Sequence, residues 1–291
     1  MLLNLREYHR ISPEKPQQAA LDAALALLAR HDIHTVPLAG GSSLVGSSDP
    51  AIEAVVDLQG LGLEGIGLQD GALHIGAMVT RTALAQDENA RQIYDGLLNR
   101  AAHLWGGSVQ RNRATVGGAL AVAAPDDALI AALLVCDAGV QLYANDGFRE
   151  IPLPDFLPRR AELLGSPALI IEVKAPVPAT GAGAGLAMVA RTPTDSPIVL
   201  AAAALRVEGT QCASARLALG GVAPTAVRVA DVEAILVGQP ISAESIGAAA
   251  ARVSELIEPS GDFRGSAEYR RAMACLLSER ALREAGKIED R

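Results

Sequence analysis

The feature that most constrains this chain is an apolar run that breaks on paired glycines. Thr35–Ala39 has the composition of a buried strand and stops at Gly40-Gly41-Ser42-Ser43. Without β-carbons, Gly40 and Gly41 let the backbone come close to a ligand or to another segment. Successive amide N–H groups in such a loop form a nest for an anion, and the hydroxyls of Ser42 and Ser43 add donors for phosphate oxygens. Upstream, Gln17–His31 places leucines at 21, 25 and 28 at helical spacing, with Pro13 and Pro16 just ahead. Ala54–Leu58 reads as a further strand, so the first sixty residues form a small β-α-β unit. A second glycine loop, Thr115-Val116-Gly117-Gly118, follows the basic stretch Gln110-Arg111-Asn112-Arg113. Each loop leaves a strand-like run, and two such loops point to a nucleotide-type ligand.

Gly60-Leu-Gly62-Leu-Glu-Gly65 also matches GxGxxG, but the dinucleotide fingerprint requires a helix to follow. Here IGLQDGALHIGAM alternates as strands around the turn Gln69-Asp70-Gly71, which predicts a hairpin over Gly65–Met78. Helices are expected over Thr80–Asp87, Ala90–Leu104 and Ala128–Cys136, with Asp126 and Asp127 at the positive end of the last. Strands Gln141–Tyr143 and Ile151–Pro152 flank the turn Asn145-Asp146-Gly147. PVPATGAGAG, over Pro176–Gly185, reads as a flexible boundary. Beyond it lie three β runs, Gly185–Ala190, Ile198–Val207 and Ala213–Leu219. Helices follow over Val229–Leu236, Ser242–Leu256 and Ser266–Ala285, the last with Tyr269, Met273, Leu276, Leu277 and Ala281 on its apolar face.

Composition removes several classes of function. The net charge of -8 and pI near 5.2 oppose binding to a nucleic-acid backbone or an anionic membrane. No stretch approaches the roughly 20 apolar residues of a membrane span. The opening MLLNLREYHR places charges where a signal peptide needs an apolar core, so a cytoplasmic location is expected. Cys136, Cys212 and Cys275 are too scattered to hold an iron–sulfur cluster and read as buried free thiols. His31 and His34 lack a nearby acid or thiol to complete a metal set. No GxSxG elbow is present, and no residues are assigned a catalytic role.

Six segments, in order, resemble the FAD-binding medium subunits of molybdenum hydroxylases, the family of carbon monoxide dehydrogenase and xanthine dehydrogenase. They are VPLAGGSSL at 36–44, LHIGAMVT at 73–80, QRNRATVGGALAVAAPDDA at 110–128, ARTPTDSPIVLAAAAL at 190–205, LALGGVAPTAVR at 217–228 and DFRGSAEYRRAMACLLSERAL at 262–282. The resemblance implies an α+β fold. Its N-terminal region, 1–175, is a flavin-binding domain of the PCMH/VAO type with two subdomains, about 1–58 and 59–175. A C-terminal domain of a small antiparallel sheet with helices spans 186–287. FAD is implied as the cofactor. Ala39, Gly40, Gly41, Ser42, Ser43 and Leu44 then line its diphosphate, Thr115, Val116, Gly117, Gly118 and Ala119 form a second wall, and Asp127 is a further contact.

The resemblance also implies two partners, a small subunit with [2Fe–2S] clusters and a large subunit with the molybdenum cofactor, assembled as a dimer of heterotrimers. Electrons run from the clusters through FAD to an external acceptor. Three departures from the family pattern are visible. Ala119 stands where Asn or Ser is usual, Ala128 replaces an acidic residue, and Met188 replaces a lysine. The segment after Leu44 is also short and lacks basic residues. Each lost contact is worth about 0.5–3 kcal/mol, so three weaken binding by several decades. A scaffold subunit that keeps the fold but not the flavin is therefore the alternative.

Overall fold

The computed structural model describes residues 4–14, 16–47, 49–192 and 195–288. Pro193 and Thr194 of the fourth resembling segment, and Met1–Leu3 of the opening stretch, lie outside them. The chain divides into two compact units, each assembled from separate stretches. The first comprises Met1–Ala83, Ser108–Val122 and Gly139–Lys174; the second comprises Leu84–Gly107, Ala123–Ala138 and Ala175–Arg291. The α+β class is the one expected.

The first unit holds two sheets. In the smaller, β1 (Glu7–Arg10) and β2 (Thr35–Leu38) flank β3 (Ala54–Asp57), both in parallel. β3 is buried along its whole length, its apolar residues Ala54, Val55 and Val56 followed by a buried Asp57. The helix Gln17–Leu28 makes the crossover and buries Ala20, Leu21, Ala24 and Leu25. β1 was not legible as a strand: EYHR is a polar edge, with Tyr8 bonded to the Asp57 carboxylate across the ladder. The larger sheet contains β4 (Ile66–Gln69), β5 (Ala72–Gly76), β6 (Gly139–Ala144), β7 (Gly147–Pro152) and β8 (Ala168–Pro176), in the order β4-β5-β8-β6-β7. The expected β4–β5 hairpin turns on Asp70 and Gly71, both at positive φ as a two-residue turn of this hand requires. A helix absent from the sequence reading, Leu153–Gly165, packs on β6 and β7. The GxGxxG segment does not open a helix. A short 3-10 turn, Leu58–Leu61, ends at Gly62 and leads into β4.

The second unit is built on an antiparallel sheet of β9 (Ala182–Val189), β10 (Val199–Glu208), β11 (Gln211–Gly220) and β12 (Val227–Arg228), in the order β12-β11-β10-β9. The helix Ala128–Val135 packs on β10 and β11 and is buried on every side, as its run of eight apolar residues demands. The helix expected over Ala90–Leu104 is instead broken. Asp87 caps Glu88–Gln92, Ile93 is extended, and Tyr94, Asp95 and Gly96 all take positive φ before Leu97–His103 begins. The side-chain amide of Asn99 donates to the carbonyls of Leu84, Ala85 and Asp87, satisfying groups that the break frees.

Two further expectations are corrected here. Only 177–181 of the supposed flexible segment lies outside strands; Gly183 and Gly185 belong to β9. A β-carbon at either position would overlap a carbonyl of the terminal helix, Ala285 or Ala281, so these glycines serve close packing rather than flexibility. That helix, Ala267–Gly286, buries Leu277 and Ala281 as expected and half-buries Met273, but its inward face is rotated from the rest of the expected one. Arg270, Ala274, Leu277, Ser278, Ala281, Leu282 and Ala285 point inward, while Tyr269 and Leu276 are exposed.

The burial of Arg270 explains the rotation. Its Nη1 donates to the carbonyls of Ile198 and Gly221 at 2.7 Å each, and its Nη2 pairs with Asp262 at 2.7 Å. Asp262 also accepts from the Arg264 backbone and side chain, and Arg264 reaches Asp126 at 2.9 Å. The guanidinium of Arg270 holds the Asp262 carboxyl well below the usual carboxylate range. A depressed acid stabilises the fold above its unfolded pKa, near 3.8, and loses that effect as pH falls through its folded value. Asp262→Asn is therefore expected to lower stability in urea unfolding at pH 7. The gap to the wild type should narrow as the pH is stepped below about 4; a gap independent of pH would contradict this account of Arg270.

Candidate functional site

The two glycine loops come together within the first unit. β2 delivers the chain to Ala39, and Gly41 takes φ +73°, the left-handed bend that turns it into the short 3-10 segment Leu44–Gly46. Ser42 and Ser43 are exposed at this bend. A β-carbon at Gly40 would overlap the carbonyl oxygen of Arg113, so Gly40 lies directly against the backbone that leads into the second loop. The Arg113 side chain returns the contact, its Nε donating to the Gly40 carbonyl at 3.2 Å.

The second loop is not a loop leaving a strand. Thr115 forms an isolated antiparallel bridge with Thr80, and Val116–Val122 is a helix whose first turn contains both glycines. Gly117 is required there, since a β-carbon would meet the Ala77 β-carbon at 2.8 Å and its carbonyl oxygen at 2.9 Å. This brings LHIGAMVT, the second resembling segment, directly under Thr115–Gly118.

The two loops differ in what they offer a ligand. In the second, every amide from Val116 to Ala119 is already used. Val116 donates to Val79, Gly117 to Ala77, Gly118 to the Thr115 hydroxyl and Ala119 to the Thr115 carbonyl. In the first, Gly41 and Ser43 accept bonds through their carbonyls. The N–H groups of Gly41, Ser42, Ser43 and Leu44, however, have no protein acceptor among the described residues. Ser42 and Ser43 are exposed and Gly41 and Leu44 half-buried, so this row of consecutive donors is open to solvent and has the form of a nest that suits a phosphate or diphosphate. The first loop thus leaves its donors open. The second is a tightly packed wall that supplies closeness rather than donors.

The remaining candidate, Asp127, lies in the second unit. It is almost wholly buried and caps the helix Ala128–Val135, accepting the Leu129 N–H at 3.0 Å. Helix-end charge was the plainer sequence reading, and that role is the one visible. Asp126 is tied to Arg264 as described above. Ala119 and Ala128 are both buried, whereas Met188 is half-buried in β9 opposite Leu200. Cys136 and Cys212 are buried as expected, burial raising both thiols, while Cys275 is partly exposed.

Sequence reasoning missed two features. Arg113 was visible only as part of a basic stretch, and nothing in its spacing foretold its contact with Gly40. The other is an open depression of about 430 Å³ on the five-stranded sheet, lined by Gln17, Gln69, Gln141, Phe148 and the His74–Glu172 pair among others. None of the glycine-loop residues lines it.

The chain matches two described families over almost its whole length. Residues 15–178 match the FAD binding domain in molybdopterin dehydrogenase, and residues 186–285 the CO dehydrogenase flavoprotein C-terminal domain. It is 31% identical to the carbon monoxide dehydrogenase medium chain of Hydrogenophaga pseudoflava, with 90% of this chain and 93% of that protein covered. It is 32% identical to the 6-hydroxypseudooxynicotine dehydrogenase complex subunit alpha of Paenarthrobacter nicotinovorans, with 91% and 92% covered. A solved structure of carbon monoxide dehydrogenase from Hydrogenophaga pseudoflava superposes with a TM-score of 0.89 at 30% identity, over 99% of each chain.

The packing of Gly40 generates a direct expectation. Gly40→Ala should force the loop away from Arg113 and lower the unfolding free energy by about 1–3 kcal/mol. Urea unfolding of the two proteins measures this, and equal midpoints would show that the loop is not packed as described.

Proposed function

Because this chain belongs to the family of FAD-binding subunits of molybdopterin dehydrogenases, we propose that it is the electron-transfer subunit of a molybdenum hydroxylase. It takes electrons from [2Fe–2S] clusters on a small partner subunit and passes them through FAD to an external acceptor. A large partner subunit holds the molybdenum cofactor and performs the substrate chemistry, in a cytoplasmic dimer of heterotrimers. The observation that carries this reading is the row of open amide donors at Gly41–Leu44, set against the backbone that leads into the second glycine segment.

When bound, FAD supplies the redox chemistry, accepting electrons from one partner and yielding them to another. The chain's own residues have simpler tasks. The amides of Gly41, Ser42, Ser43 and Leu44 hold the diphosphate, with the Ser42 and Ser43 hydroxyls as added donors. Ala39 and Gly40 bring that loop to Arg113 and fix its position. Thr115, Val116, Gly117, Gly118 and Ala119 form the opposing wall, whose closeness depends on two missing β-carbons. Asp127 orients the segment that follows by capping its helix. In this arrangement affinity rests on backbone groups, so Ala119, Ala128 and Met188 remove side-chain contacts without removing the cradle. The division of the chain into a flavin domain over 1–175 and a C-terminal domain over 186–287 belongs to the same proposal.

No iron–sulfur thiolates are supplied by this chain's three cysteines, which lie far apart in sequence. In the proposal, the clusters accordingly belong to a partner. Neighbouring subunits dictate substrate, and the flavin subunit dictates only where electrons leave.

Co-expression with the neighbouring subunits is expected to yield a complex with flavin absorption bands and close to one FAD released by acid per chain. A Ser42→Ala, Ser43→Ala double variant should keep the cradle but bind FAD about ten-fold more weakly. A colourless complex that retains iron–sulfur and molybdenum partners, and takes up no added FAD, would replace this reading with the scaffold.

A further inference from the structure

We propose that Arg113 is the cation of the anion cradle, its guanidinium binding the diphosphate that the first loop's amides hold. This inference rests on the flavin reading above and adds to it a residue that neither glycine motif contains.

Charge favours such a residue. Residues 31–80, which include the whole first loop, contain no lysine or arginine and six acidic residues. A diphosphate carries two negative charges, and open amides offer only dipoles to balance them. The loop's own stretch of chain therefore opposes its ligand electrostatically. A positive charge must be brought in from elsewhere in the unit.

Arg113 is placed to bring it. It arrives from the segment ahead of the second glycine pair and touches the first loop twice. Its backbone carbonyl fills the space above Gly40, and its Nε donates to the Gly40 carbonyl at 3.2 Å. One terminal nitrogen lies 3.9 Å from where a Gly41 β-carbon would stand. Arg113 is exposed, and neither terminal nitrogen has a carboxylate or carbonyl partner among the described residues. An arginine so held, with one edge anchored and the other free, presents two parallel donors in the geometry that suits phosphate oxygens. Most arginines of the described chain are engaged by acids: Arg30 by Glu7 and Asp32, Arg228 by Asp137 and Glu233, Arg264 by Asp126 and Asp262. Arg113 is left for a ligand.

The anchoring also explains why the two glycine segments must meet. Gly40 gives up its β-carbon to admit the Arg113 backbone, and that contact fixes where the guanidinium begins. The side chain then needs no large rearrangement to reach the donors at Gly41–Leu44.

The test is FAD binding to the full chain stripped of flavin, followed by quenching of flavin fluorescence at low and high salt. Arg113→Gln is expected to weaken binding about 10- to 100-fold at low salt, the worth of a charge-assisted contact. Its remaining affinity should depend less on salt than the wild type's, because the screened charge is gone. Arg113→Lys, which keeps the charge but not the Nε bond, should recover part of the loss. Unchanged thermal unfolding of the glutamine variant separates lost charge from a disordered loop. Equal affinity and equal salt dependence in wild type and Arg113→Gln would overturn this inference alone. A wild-type chain that takes up no FAD would overturn the flavin reading along with it.

Discussion

The structure of the candidate site depends on one close approach, the backbone of Gly40 against the carbonyl of Arg113. No residue with a β-carbon can sit at Gly40 without moving one of the two segments. The contact lies beside the bend at Gly41, where four consecutive amides have no acceptor among the described residues. It also ties the first glycine segment to the second, although they lie more than seventy residues apart in sequence. Gly117 repeats the device against Ala77, so each wall of the site is placed by a missing side chain rather than by a present one.

This explains how a site with several replaced side chains keeps its shape. Ala119, Ala128 and Met188 are the three positions at which the resemblance implies a departure from the family pattern. None of them positions the backbone. Val116–Ala119 satisfies its own amides through Thr115, Ala77 and Val79. In the second unit, the buried Arg270 and its partners Asp262, Ile198 and Gly221 hold the turn before the terminal helix without help from a ligand. The contacts that place these segments are made by backbone groups and by Arg270, not by the three replaced side chains.

Much of this was legible in the chain. The β2 run ending on Gly40-Gly41, the Asp70-Gly71 hairpin, the all-apolar helix Ala128–Val135 and the three long strands of the second unit follow from patterning and turn chemistry. What was not legible shares a physical cause: its determinants are distant in sequence. β1 is polar and becomes a strand only by pairing with β3. Gly117 and Gly118 read as a loop because glycines disfavour helices, yet they lie in the first turn of one, where Gly117 packs against Ala77. Gly183 and Gly185 read as flexible because their partner, the terminal helix, lies about a hundred residues on. The face of that helix was misjudged because Arg270 counted as polar, when its burial is made possible by Asp262 and two carbonyls. Arg113 carries no signal of its own until Gly40 is placed against it.

The central claim is that the first glycine loop offers open donors and the second offers only a packed wall. Hydrogen exchange at individual backbone amides, compared with and without FAD, tests it most directly. The account predicts that FAD slows exchange at Gly41–Leu44, while Val116–Ala119, already bonded within the protein, changes little. Slowed exchange confined to Val116–Ala119, with Gly41–Leu44 unaffected, would contradict it.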